Sequence, residues 1–94
     1  MNIFMEHSAM NRKIFEMGLS TETVSLYLLC CGIADSGATL STKNLLEIWN
    51  ASPEAMNTSF LELENLGIVL KIISDGKTHH IYKLTNDDDW NEFM

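Results

Sequence analysis

The chain has 94 residues, 46% of them hydrophobic, and a net charge of −7 at pH 7. That length gives one domain with one modest core. The composition excludes a disordered chain, and the acidic balance disfavours tight non-specific binding to phosphates. No apolar run reaches the roughly 18 residues of a membrane span, and Met1 to Glu6 lack the basic opening and long apolar stretch of a secretory signal, so a cytoplasmic protein without membrane contact is expected.

Residues 1–19 read as an N-terminal extension rich in Met and Phe. Ala9 to Met17 predicts a short helix, with Ile14, Phe15 and Met17 apolar and Gly18 as its stop. Such a segment caps the core or packs on a second copy. Ser20 or Thr21 reads as the N-cap of the next helix, with Glu22 in the first turn where the helix dipole favours it. This helix runs to about Ala34. Val24, Tyr27, Leu28 and Cys31 follow the helical i, i+3, i+4, i+7 spacing, and Leu26, Leu29, Cys30 and Ile33 make it apolar on nearly every side. Full burial of such a helix is hard to arrange in a monomer this small, so a second chain is expected to cover part of it. Cys30 and Cys31 are adjacent, and a bridge between neighbours strains their peptide. They read as small buried apolar residues, with a redox pair as the alternative.

Asp35-Ser36-Gly37 is a turn, and Ala38-Thr39-Leu40 has the character of a short strand. Ser41 caps a helix whose expected buried stripe is Leu45, Leu46, Ile48 and Trp49. After Asn50-Ala51, the run Ser52-Pro53-Glu54 opens another helix with an N-cap, a proline at the first position and an acid in the first turn. Met56, Phe60 and Leu63 are its inward stripe, and Gly67 is placed to end it. Two β-branched runs, Ile68 to Ser74 and Lys77 to Thr85, flank Asp75-Gly76, the signature of a two-residue hairpin turn. Counting outward from that turn pairs Ile72 with His79, Lys71 with His80 and Leu70 with Ile81. Leu70, Ile72 and Ile81 are then expected to face the core, and Lys71, His80 and Tyr82 the opposite side. The last segment, 86–94, mixes Asp87, Asp88, Asp89 and Glu92 with Trp90 and Phe93. Either its aromatics pack on the first long helix or a second subunit, or it is a docking peptide for a basic, apolar pocket.

Two short helices, a tight turn and a hairpin predict an α+β fold over 20–85. It is a winged helix-turn-helix, a three-helix core plus a β-hairpin wing, with an extra N-terminal helix. No phosphate loop, nucleophile elbow or zinc helix is present, so no enzyme and no cofactor are expected. His79 and His80 are neighbours in a strand and point to opposite faces, and Asp87 to Asp89 lack the spacing of a calcium loop, so no metal is expected either.

The second helix of such a pair presents its N-terminal residues to base edges. The outward residues are Glu54, Ala55, Asn57, Thr58, Leu61 and Glu62. Asn57 can read an adenine edge, and Thr58 can reach a phosphate or a thymine methyl, but the helix holds no Lys or Arg. The hairpin is better equipped, with three of the six basic residues of the chain, Lys71, Lys77 and Lys83. The candidate DNA-binding set is therefore Lys43, Asn57, Thr58, Lys71, Lys77 and His80. The candidate surface for self-association or a partner is Phe4, Phe15, Leu26, Leu29, Trp90 and Phe93.

Gly18-Leu19-Ser20-Thr21-Glu22, Leu40-Ser41-Thr42-Lys43-Asn44-Leu45, Ser52-Pro53-Glu54 and Leu61-Glu62-Leu63-Glu64-Asn65-Leu66-Gly67-Ile68 carry a resemblance. With Ile81-Tyr82-Lys83-Leu84 and Trp90, the pattern resembles the winged N-terminal domain of DnaD-like primosome proteins and phage replisome organisers. The resemblance covers about residues 14–94. It implies a non-enzymatic module that self-associates and helps assemble a complex on DNA. The chain departs from that family in lacking its C-terminal DNA-binding domain. It also has an acidic third helix where related DNA readers carry Arg or Lys, for instance at Thr58. Two functions follow as expectations. One is weak DNA binding by a dimer in replication or transcription regulation. The other is an acidic protein-interaction module, such as a phage-type inhibitor, that uses the fold without binding DNA.

Overall fold

Three helices and a two-stranded antiparallel hairpin make a small α+β domain in this computed structural model, which describes residues 10–74, 80–86 and 90. The helices are α1 (Thr21–Asp35), α2 (Thr42–Leu46) and α3 (Pro53–Asn65), and the strands are β1 (Val69–Ser74) and β2 (His80–Leu84). No helix among the described residues is long and apolar enough to cross a membrane.

Each helix begins at a serine whose hydroxyl takes up a free backbone N–H of the first turn. Ser20 Oγ accepts from the N–H of Thr23, Ser41 Oγ from that of Asn44 and Ser52 Oγ from that of Ala55. Glycines in the left-handed region stop two of them. At the end of α1 the Gly37 N–H reaches the Ala34 carbonyl and the Ala38 N–H reaches that of Ile33. At the end of α3 the Gly67 N–H reaches Glu64 and the Ile68 N–H reaches Leu63. This paired pattern closes a helix by turning its last carbonyls back on the following loop.

The expected N-terminal helix is a shorter 3-10 turn, Arg12–Glu16, which puts Ile14 in the core and leaves Phe15 on the surface. It is tied to α1 by the Asn11 N–H, which donates to the Tyr27 hydroxyl at 2.8 Å. Leu26, Tyr27, Cys30 and Cys31 of α1 pack with Leu45 of α2 and with Met56, Phe60 and Leu63 of α3 in one core. Trp90 closes that core, edge-on to Tyr27 with ring centroids 5.7 Å apart, and its indole N–H donates to Thr85 Oγ1. The chain thus covers much of α1 itself. Leu26 has no surface left to give a partner, and the described residues leave Leu28 as the exposed leucine of that helix.

Two expectations of local structure are corrected. Of the predicted stripe of α2, Leu45 is buried, but Leu46 and Ile48 are exposed, and the helix ends at Leu46. Trp49 packs against the core, partly buried, and its indole N–H is held on the Ser52 carbonyl. In the hairpin the described pairing runs as far as Ser74 with His80, and the turn expected at Asp75-Gly76 lies outside the described residues. Lys71 pairs with Tyr82 and Leu70 with Lys83, and Ile72 is an extra residue before Ile73 meets Ile81. The shift along β2 is two residues, so the faces stay grouped as expected, but the face turned inward is the other one. Tyr82 is buried on Phe60, while Leu70 and Ile72 point to solvent. The predicted strand at 38–40 is reduced to a bridge between Ser41 and Ile81, with the Tyr82 N–H donating to the Leu40 carbonyl at 2.8 Å.

Candidate functional site

The hairpin is fastened across α3 by aromatic stacking. The Phe60 and Tyr82 rings lie 4.0 Å apart and nearly parallel, at 7°. Between the two elements and the end of α2 runs an open groove of about 280 Å³. Its floor is apolar, built by Met56, Phe60 and Tyr82, and Leu46 and Leu61 stand at its walls. Three of the six residues expected to contact DNA, Asn57, Lys71 and His80, line this one groove. Lys43 and Thr58 are exposed outside it, and Lys77 lies outside the described residues.

The electrostatics of the groove are close to neutral. The Lys71 ammonium lies 3.9 Å from the Glu64 carboxylate, so the one lysine of the groove already faces an acid. His80 is held by both β1 and α2. Its backbone N–H donates to Thr42 Oγ1 of α2, and its ring nitrogen Nδ1 meets Ser74 Oγ of β1 at 2.8 Å. On the side of α3 that meets α1, Glu62 accepts the Thr23 hydroxyl at 2.6 Å, while Glu54 is exposed in the first turn. Desolvation pushes the Tyr82 phenol up to about 12, so it serves the groove as a neutral aromatic.

The surface that sequence reasoning missed is apolar. Leu61 on α3 is 58% exposed, and Leu70, Ile72 and Ile73 on β1 are 50%, 55% and 57% exposed. Of these, Leu61 was expected to face outward, being out of phase with Met56, Phe60 and Leu63, and it does. Leu70 and Ile72 had no such signal, because their exposure depends on which hairpin face α3 covers. Of the expected partner surface, Phe15 is exposed, Leu29 is partly buried against the core, and Leu26 and Trp90 are buried within the chain. Phe4 and Phe93 lie outside the described residues, as do Asp87, Asp88 and Asp89. Among the described residues no group of three or more His, Cys, Asp or Glu side chains gathers as a metal site would require. No protein-family model, no curated protein and no solved structure matches the chain.

Proposed function

We propose that the chain is a winged helix-turn-helix domain of a cytoplasmic DNA transaction, either replication-complex assembly or transcription regulation. In this reading it contributes by protein contact through the face of α3 and the hairpin. The winged-helix reading is supported by the element order, the short α2–α3 turn and the hairpin stacked on α3. The step from that fold to a DNA transaction is by analogy. The observation that carries the protein-contact role is the character of the face. The helix that would enter a groove of DNA has Glu54, Glu62 and Glu64 and no basic residue, and Lys71 beside it is offset by Glu64. A DNA-binding face needs basic side chains to displace counterions, and here that term is small. Exposed leucine and isoleucine on the same elements are what a protein interface uses.

A second reading keeps weak DNA binding. It is favoured by Asn57 and Thr58, both exposed on α3, and by Lys43 and Lys83, which have no ion pair among the described residues. Fluorescence anisotropy of a labelled duplex separates the two. The protein-contact reading predicts no saturable binding at moderate salt. Saturable, salt-sensitive binding that is lost in Lys71→Ala with Lys77→Ala overturns it in favour of the second.

A further inference from the structure

The groove between α3 and the hairpin holds two charged groups with bonding capacity that the fold leaves unused. The other polar groups there, His80 and Thr42, are bonded to each other, and His80 also to Ser74. Lys71 of β1 and Glu64 of α3 face each other at 3.9 Å, which is too long for a hydrogen bond. Both side chains are partly exposed, and neither makes a hydrogen bond among the described residues. The Asn57 amide, on the same groove, makes none either. An exposed ion pair at this distance adds little to folding, so opening it costs little.

Beside these groups the groove is apolar. Met56, Phe60 and Tyr82 make its floor, and the exposed side chains of Leu46 and Leu61 stand at its walls. An apolar recess with a few convergent polar groups is the make-up of a small-ligand site, and about 280 Å³ is at the small end of such sites.

The two charges decide which ligand fits. A phosphate or a simple carboxylate meets repulsion from Glu64, and a simple amine meets it from Lys71. A metal ion finds one carboxylate with an ammonium beside it. A neutral apolar molecule leaves both charged groups as they are. A molecule with an ammonium and a carboxylate on one carbon serves both, its ammonium donating to Glu64 and its carboxylate accepting from Lys71. One long contact is then exchanged for two charge-assisted hydrogen bonds, and the Asn57 amide can donate or accept beside them. The geometry points to a binding site for a free α-amino acid with a large apolar side chain, held by Glu64 and Lys71 with that side chain between Leu46 and Leu61. The site stands on this groove and not on the protein-contact reading. Its ligand lies against both α3 and the hairpin and covers part of the face which that reading uses.

The test is a titration of the whole chain, without DNA, with L-phenylalanine and with L-leucine, followed by residue-resolved NMR. A ligand of this size is expected to bind saturably with a Kd on the order of 1 mM. The amides of Met56, Asn57, Leu61 and Lys71 are expected to move. N-acetyl-L-phenylalanine lacks the ammonium, L-phenylalanine amide lacks the carboxylate, and glycine lacks the side chain. Each is expected to bind at least about tenfold more weakly than L-phenylalanine. Glu64→Gln and Lys71→Gln are each expected to weaken L-phenylalanine by a similar factor. Both positions are partly exposed, so the wild-type circular-dichroism spectrum is expected to persist. No saturable shift with either amino acid overturns the proposal, as do shifts confined to residues outside the groove. Equal binding of the acetyl or amide derivative, or of glycine, also overturns it. In the first of those cases the groove is an apolar recess of the kind a partner protein's side chain fills. Unchanged affinity in either variant overturns it as well. None of these results bears on the duplex titration, so failure of this site and failure of the protein-contact reading are distinguishable.

Discussion

Cys30 and Cys31 were legible as small apolar residues because they sit inside an apolar helix run, and both are free thiols in the core. Desolvation holds the Cys30 thiol well above its usual range and pushes the Cys31 thiol up to about 11. Both are therefore neutral and poor nucleophiles at neutral pH. A thiol reagent is expected to label neither in the native chain and both in denaturant, and rapid native labelling would contradict this placement. The same shifts set an alkaline limit on stability. The unfolded chain releases these protons at ordinary values near 9.0 while the folded chain still holds them, so stability is full below pH 9 and falls as pH rises towards 11. Thermal melts are expected to show that decline, and Cys31→Ala is expected to make it shallower. A second residue-scale link was invisible in the sequence. Thr23 donates to Glu62, 39 positions away, and joins α1 to α3. Thr23→Val keeps the shape and removes the donor, and is expected to cost about 1–2 kcal/mol in urea unfolding. An unchanged midpoint would remove the link from the account.

Helix starts were readable because their chemistry is local. Ser20, Ser41 and Ser52 each bond an N–H three residues on, and nothing distant is needed to place them. Ser52→Ala is expected to cost about 1 kcal/mol for that reason, with the loss confined to the start of α3. The hairpin register was not readable, although Asp75-Gly76 is a strong local turn signal. Two distant contacts hold the described pairing. Tyr82 stacks on Phe60, 22 positions earlier, and its N–H bonds the Leu40 carbonyl. The buried tyrosine chooses which face of the hairpin is covered, and Leu70 and Ile72 go outward as a consequence. Phe60→Ala removes this anchor from a fully packed position and is expected to cost about 3–5 kcal/mol. Loss of hydrogen-exchange protection in β1 and β2 ahead of α1 would locate the damage, and equal loss everywhere would mean that the hairpin is not separately anchored.

At the scale of the whole molecule, sequence reasoning reached the α+β class and the negative balance, and both bear on function. It expected α1 to need a partner chain, but α1 packs against α3, Trp90 and the 3-10 turn of its own chain. Among the described residues, part of the exposed apolar surface, Leu61, Leu70, Ile72 and Ile73, lies on α3 and β1, the elements that a winged helix turns toward DNA. Their charge opposes that use, since affinity for DNA comes largely from basic side chains that displace phosphate counterions. The most direct measurement is residue-resolved NMR on isotope-labelled chain with added duplex DNA at moderate salt. Amide shifts at Asn57, Leu61, Leu70 and Ile72 that stay still on adding duplex are the predicted result. Saturable shifts at those residues on adding duplex would contradict the account.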